Sequence, residues 1–239
     1  MNSFDFRAGE VLLVDKPLHW TSFDVVNKLR WKLKRKYGIK RFKVGHAGTL
    51  DPLATGLLLI CTGKKTKISQ ELTADDKVYT GKILLGKTTP SYDLETEFDS
   101  EIDVEHLKGK EDLILEVARQ FIGEQEQIPP VFSAKKVNGK RAYESARKGK
   151  ELNLKPNVIN IEYFEIDTTN FPEIGFKVKC SKGTYIRSLA NDFGKKLNVG
   201  GTLIELRRTN SGRFSIDNAR SVDEWLNIIE DTEVEENIQ

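Results

Sequence analysis

The stretch Gly45-His46-Ala47-Gly48-Thr49-Leu50-Asp51-Pro52-Leu53-Ala54-Thr55-Gly56 constrains this chain more than any other. It packs three glycines, a proline, a histidine and a single acid into one loop. The apolar run Leu57-Leu58-Leu59-Ile60-Cys61 follows at once and reads as a buried strand. Gly48 permits backbone angles closed to other residues, and Pro52 pushes Asp51 toward extended backbone. Such a loop can hold a carboxylate outward in one pose. An isolated aspartate between glycine and proline more often closes an Asx-type turn on nearby backbone N–H groups. The stretch alone leaves both readings open.

At 239 residues the chain fits one large domain or two small ones. Charged residues make up 31% and hydrophobic ones 38%, which suits a folded chain rather than a disordered one. No apolar run nears the roughly 18 residues of a spanning helix. The first residues lack the regions of a secretory signal. A cytoplasmic location with no membrane partner is therefore expected. Cys61 and Cys180 lie far apart in apolar, strand-like contexts and read as buried free thiols. With three histidines (His19, His46, His106) and no closely spaced Cys/His/Asp cluster, no metal site is expected. The net charge of +2 hides an uneven distribution. Nine basic residues and no acid lie between Val25 and Leu50, and seven acids and no base follow Arg220. A long one-signed run leading into the Asp51 loop points to nucleic acid.

The pattern predicts a strand over 10–14, and a helix from an N-cap at Ser22 to about Tyr37 with Val25, Val26, Leu29 and Leu33 buried. A short helix over 65–72 and a strand over 77–86 follow. Residues 87–103 read as polar turns, and 111–122 as a helix with Leu113, Leu115, Val117 and Phe121 in register. Residues 127–150 read as a basic arm that a ligand orders. Strands over 158–168 and 175–180, a helix over 183–197, a strand over 200–208 and a helix over 222–229 complete the chain. The tail beyond Asp231 is expected to fray. Interspersed strands and helices without regular alternation argue for an α+β fold with a mixed sheet.

Two further residues attract notice. Arg187, in Gly183-Thr184-Tyr185-Ile186-Arg187-Ser188-Leu189, is by position an ordinary surface charge, but beside a buried carboxylate it would keep that acid ionised. Tyr79, in Lys77-Val78-Tyr79, is by position a core residue, but in a pocket it would stack on a base. Taken together the motifs resemble the TruB family of bacterial tRNA pseudouridine-55 synthases. The resemblance rests on the 45–56 stretch, on Lys16-Pro17 with Thr21-Ser22, and on Lys77-Val78-Tyr79. It continues through Leu85-Gly86 with Thr88 and Asp93, and Gln127-Ile128-Pro129-Pro130 with Ser133-Ala134-Lys135 and Gly139. Tyr143 with Ala146-Arg147 and Gly149, the run Lys182 to Ala190, and Leu206-Arg207-Arg208-Thr209 with Ser211-Gly212 complete it, so it spans about residues 10 to 215. His19 departs from it, standing where the family usually has glycine, and Thr88 to Asp93 is less regular than the family pattern.

The resemblance implies a pseudouridine synthase fold with a largely antiparallel central sheet, and a catalytic domain over 1–215. It makes Asp51 the nucleophile, Tyr79 the platform for the flipped uracil and Arg187 the partner of the aspartate. His46 would enter the RNA loop, Tyr185 and Leu206 would line the uridine pocket, and Lys16 would join them in binding substrate. No cofactor and no metal are implied. In the implied reaction the N1–C1′ bond of uridine is cut, the base turns, and C5 joins C1′. Attack by Asp51 at C1′, attack at C6, and removal of the ribose 2′ proton all remain open. The Tyr79 hydroxyl is a candidate to take the C5 proton. Ordinary glycoside hydrolysis needs two carboxylates, and the motifs carry one.

The partner implied is the T stem-loop of tRNA, without a guide RNA, and the protein is expected to act as a monomer. Residues 216–239 read as a short helix and acidic tail, too short for the RNA-binding PUA-type domain of many relatives. RNA affinity then falls to the basic helix and the 127–150 arm. Two rivals stand beside this reading: a guide-RNA-dependent rRNA pseudouridine synthase, and a tRNA-folding chaperone that does no chemistry.

Overall fold

The structure is a computed structural model that describes residues 4–131, 136–137, 140–141 and 154–233. The chain forms two compact units. One comprises Met1–Lys77 with Arg207–Gln239, the other Val78–Leu206. The tail beyond 233 and most of the expected 127–150 arm lie outside the described residues.

The first unit opens with β1 (Val11–Lys16), α1 (Ser22–Lys36), β2 (Val44–Ala47), β3 (Ala54–Thr62) and α2 (Ser69–Ala74). β3 is the strand announced by the apolar run, and it is buried on both faces through Thr62. β1 runs antiparallel along it, Lys16 opposite Gly56 and Val11 opposite Cys61. β2 pairs with its far end, His46 opposite Ile60 and Ala47 opposite Leu59. The 45–56 stretch is thus not all loop. It is a β-hairpin whose connection, residues 48–53, carries Asp51. β2 escapes the sequence reading because four residues with two of them glycine and histidine show no alternation, and only pairing with β3 makes them a strand.

α1 buries the predicted Val25, Val26, Leu29 and Leu33. Its N-cap is Thr21 rather than Ser22: the Thr21 hydroxyl accepts from the Asp24 N–H, and the Asp24 carboxylate accepts from the Thr21 N–H. Both residues are plausible caps by type, and the reciprocal partner three residues on decides between them. The predicted 65–72 helix divides into a 3-10 turn over Gly63–Ile68 followed by α2.

The second unit contains nearly all of β4 (Lys77–Leu85), then β5 (Lys87–Thr88), β6 (Ser100–Glu101), α3 (Glu111–Arg119) and β7 (Gly123–Gln127). β8 (Lys136–Val137), β9 (Lys140–Arg141), β10 (Asn157–Asp167), β11 (Glu173–Cys180) and α4 (Ile186–Lys196) follow. β5 and β6 form a small ribbon inside the stretch read as polar turns. α3 ends at Arg119 and turns Ile114, Val117 and Ala118 inward, while Leu113 is 45% exposed. Val117 and Phe121 are buried as predicted, Leu115 is half-buried, and Ile114 and Ala118 take the inward place expected for Leu113. β7, Gly123-Glu124-Gln125-Glu126-Gln127, is a strand that hydropathy does not announce; it exists because it pairs antiparallel with β10. Phe121, Phe164, Phe176 and Phe193 form the aromatic centre of this unit, in edge-on contacts with centroids 5.6–6.2 Å apart.

β12 (Gly201–Ser211) is shared by the two units. β13 (Phe214–Ser215), β14 (Arg220–Ser221) and α5 (Val222–Asp231) then close the first unit. α5 begins with a second capping box, between Ser221 and Glu224. Its buried Trp225 donates from Nε1 to the Leu13 carbonyl at 2.9 Å. β1 with β3, β2 with β3, β7 with β10, β10 with β11 and β12 with β13 pair antiparallel and β1 with β14 pairs parallel, which makes the sheet mixed and the class α+β, as expected. Cys61 and Cys180 are buried free thiols.

β3 packs closest to its neighbour at Gly56. Its φ of +100° and a hypothetical Cβ only 2.3 Å from the Arg208 carbonyl oxygen leave no side chain admissible there. Gly56→Ala is expected to destabilise the protein by at least about 2 kcal/mol, through a lower urea midpoint at unchanged m-value.

Candidate active site

The Asp51 connection is held from three sides by residues of its own unit. Ser22, at the start of α1, donates its hydroxyl to the Leu50 carbonyl at 3.1 Å and accepts from the Leu50 N–H at 2.8 Å. One side chain thereby satisfies both backbone groups of the residue before Asp51. On the other side His19 N–H donates to the Pro52 carbonyl at 2.8 Å. His19 has φ +66°, so the turn keeps the left-handed conformation that glycine would take there. Below, Arg208 donates from Nε to the Leu57 carbonyl at 2.7 Å and from a terminal nitrogen to the Gly48 carbonyl at 2.9 Å. Gly48, at φ +80°, lies against that guanidinium: an added Cβ would sit 3.3 Å from it. The Asp51 carbonyl closes the turn by accepting from the Ala54 N–H at 3.1 Å.

The electrostatics follow from what is buried. Arg208 is 1% exposed and Lys16 fully buried. Lys16 donates to the carbonyls of Pro17 and Trp20 at 2.9 and 2.6 Å. Burial lowers its pKa to about 8, while the neighbouring Asp51 charge works to raise it and Arg208 to lower it further. The enclosed ammonium and the catalytic candidate therefore feel each other directly. His46 rests its Nε2 3.0 Å from the Thr49 hydroxyl. Burial first, and then Arg208, hold its pKa below the ordinary histidine value, so the imidazole is neutral at pH 7. Lys77 is buried and donates to the Thr73 and Asp75 carbonyls.

The second unit carries Tyr79, Tyr185, Arg187 and Leu206. Tyr79 is buried in β4. Arg187, in the first turn of α4, forms an ion pair with Asp93 at 3.5 Å and donates to the Ser91 carbonyl. Both side chains of that pair are 6% exposed. The Asp93 carbonyl in turn accepts from the hydroxyls of Thr89 and Ser91. Tyr185, the residue before α4, is held at both backbone groups by the buried Gln127 amide: its N–H donates to Oε1 at 2.7 Å and its carbonyl accepts from Nε2 at 3.0 Å. Ser188 donates to the Ile128 carbonyl. Gln127 and Ile128, read as the start of a loose arm, are therefore tied to the head of α4.

Ser22, Arg208, Asp93 and Gln127 are supporting residues that stand in the motifs read from sequence, but Ser22 was read only as a helix cap and the other three were given no role of their own. Arg208 left a signal. Arg207 and Arg208 are adjacent on a strand, so they point to opposite faces and one of them must face inward. Arg207 is the outward one, in a bidentate pair with Asp15 at 3.0 and 2.7 Å. Among the described residues no group of His, Cys, Asp or Glu is placed to hold a metal ion, and no helix is long and apolar enough to cross a membrane.

Two measurements test this geometry. Ser22→Ala leaves both Leu50 backbone groups without their partner and is expected to cost about 1–3 kcal/mol in urea denaturation. For Lys16 the sign follows from linkage. Below about pH 8 folded and unfolded chains both hold the proton; between about 8 and 10.5 only the unfolded chain does. Stability from this group therefore rises with pH across that window. Wild type is expected to gain on Lys16→Met as pH increases from 8 toward 10, and parallel curves would contradict the lowered pKa.

Comparison with known proteins agrees with the motif reading. Residues 34–186 match the TruB family pseudouridylate synthase N-terminal domain, and residues 187–238 match the tRNA pseudouridylate synthase B C-terminal domain. A protein of Flavobacterium johnsoniae described as tRNA pseudouridine synthase B is 54% identical over 92% of this chain and 95% of its own length. One of Phocaeicola vulgatus with the same description is 51% identical over 97% of this chain and 98% of its own. Among solved structures, a chain of a Cbf5-Nop10-Gar1 complex superposes with a TM-score of 0.68 at 28% identity over 93% of this chain, which spans only 54% of that one. The chain belongs to the TruB family of pseudouridylate synthases, isomerases that act on uridine in tRNA.

Proposed function

We propose that this protein converts uridine 55 in the T loop of tRNA to pseudouridine, alone and without a guide RNA. The observation that carries the reading is Asp51, alone of its charge in the family stretch, presented on a hairpin connection that Ser22 and Arg208 immobilise next to the Lys16 ammonium. The identity of about half of all residues with the curated relatives, against 28% with the Cbf5 chain, supports tRNA rather than a guided rRNA target.

In this reading the target uridine leaves its stack, because no group can reach C1′ inside a folded loop. His46, neutral and at the edge of β2, takes the space the nucleotide vacates. Asp51 then acts on the exposed nucleotide and splits one hard exchange into two easier steps. Lys16 contributes to substrate binding through its positive charge beside Asp51, and Arg187 supplies the counter-charge assigned to it by the family motif. Tyr79 stacks on the uracil while it turns and takes the C5 proton; N1 gains a proton as C5 joins C1′. Tyr185 and Leu206 line the pocket. Each of these roles belongs to a side chain, and none requires a cofactor.

The test is incubation with an unmodified tRNA transcript followed by chemical mapping of pseudouridine. Wild type is expected to modify the T-loop uridine alone. Asp51→Asn, which keeps size and hydrogen bonding, is expected to lose at least about a thousandfold in rate. Modification elsewhere, or undiminished turnover by the variant, overturns the assignment. tRNA refolding retained by Asp51→Asn would add a chaperone role to the catalytic one.

A further inference from the structure

The outer face of α1 is not used by the chemistry above, yet it is built unlike an ordinary solvated helix. Phe23 and Trp31, two turns apart on one side, are 58% and 53% exposed. Each ring carries a cation: the Arg30 guanidinium stands 6.0 Å from the Phe23 centroid, and that of Arg35 4.8 Å from the Trp31 centroid. At the foot of this face lies a hollow of about 520 Å³ lined by His19, Trp20, Asp24, Asn27 and Lys28. Its single acid, Asp24, is occupied by the Thr21 cap. Basic residues on the other flank are partly neutralised instead: Lys32 pairs with Glu230, and Lys36 donates to the Glu230 carbonyl. Glu230 also feels the charges of Lys36 and Arg35, so one carboxylate of α5 answers several cations of α1 and the helix stays net positive.

Aromatic rings interleaved with arginine and lysine, beside a concave wall that offers an amide and an ammonium, are the chemistry of unstacked nucleotides. The face is also continuous with the active site. α1 begins at Ser22, which clamps Leu50, and His19 bonds the Pro52 carbonyl. Trp31 stands nine residues up the helix from that clamp, about 14 Å along the axis, so the face begins at the Asp51 connection and extends beyond a single nucleotide's length along α1. We propose that the outer face of α1, from the His19–Lys28 hollow to Trp31, is a second RNA-contact surface that stacks unpaired nucleotides of the substrate tRNA outside the T stem-loop. It rests on the tRNA reading above and adds a subsite to it. His19, held at φ +66°, adds an exposed imidazole to the wall of this hollow.

The experiment compares binding of full-length tRNA and of the isolated T stem-loop hairpin by the whole chain and its variants Phe23→Ala, Trp31→Ala and His19→Gly. These side chains are exposed or carry no core packing, and circular dichroism with urea midpoints confirms that each variant folds; His19→Gly is expected to be at least as stable as wild type. Each ring removed is expected to raise Kd for full-length tRNA about fivefold or more, and Kd for the hairpin by less than about twofold. The slope of log Kd against log salt should stay unchanged, because no phosphate-binding charge is lost. Equal losses on hairpin and full-length tRNA, or no loss on either, overturn the proposal. So does sedimentation showing that wild type dimerises through this face and that Phe23→Ala/Trp31→Ala abolishes the dimer. Binding needs no turnover, so the two readings fail separately. A wild type that modifies tRNA while the ring variants bind normally removes only this surface; a wild type that neither binds nor modifies tRNA removes both.

Discussion

The guanidinium of Arg208 is the contact on which the Asp51 hairpin depends. It is a buried cation whose Nε and terminal nitrogen solvate themselves on two backbone carbonyls, Leu57 at the start of the buried strand and Gly48 at the start of the catalytic connection. Charge-assisted bonds of this kind contribute about 1.5–3 kcal/mol each when both partners are in place, and removing one leaves a buried charge with nothing to replace water. The loop's position and the strand's position are thereby one quantity. Arg208 also bears on the glycines of this hairpin: at 56 its backbone has taken the space a Cβ would need, and at 48, where φ is +80°, a Cβ would press against its guanidinium.

Around that contact the first unit gathers positive charge and leaves a carboxylate to answer it. Lys16, Arg208 and Lys77 are all buried, and each bonds backbone carbonyl oxygens. Carbonyls satisfy a cation's hydrogen bonds without cancelling its charge. The result is a cationic floor beside Asp51, strong enough that Lys16 gives up much of its basicity to burial and is still pulled back by the aspartate. Burial, with Arg208 adding to it, holds the His46 pKa below its ordinary value.

Much of this was legible beforehand, and the misses have a common cause. The helix of Val25, Val26, Leu29 and Leu33, the buried strand after Gly56, and the hairpin before Cys180 all announced themselves through periodicity or apolar runs. β2 and β7 did not, because their residues are polar or glycine-rich and become strands only by pairing with β3 and β10. α3 was placed correctly and buries Val117 and Phe121 as read, but Leu113 faces outward and Ile114 inward, since adjacent apolar residues at 113, 114 and 115 offer more than one face. Among the candidate residues, Asp51, His46 and Arg187 were named from motifs. Ser22 was read as a helix cap and proved to be a clamp on Leu50, and Asp93 as the ion-pair partner of Arg187 was not foreseen. Such second partners are separated by 28 or 94 residues in sequence, from Leu50 and Arg187 respectively, and no local pattern reports a contact that far away.

By itself, the sequence determined the family, the α+β class, the presence of one acid in the 45–56 stretch and the positive sign of the run that leads into it. Those properties reside in residue types and short spacings, which any window of the chain displays. Only the tertiary structure decided that 45–56 is a hairpin rather than a loop, that Lys16 and Arg208 are interior charges rather than surface ones, and that α1 keeps two aromatic rings in the open beside arginines. Burial and partnership are relations between distant segments, and a charge or a ring acquires its function from what the fold brings to it or withholds.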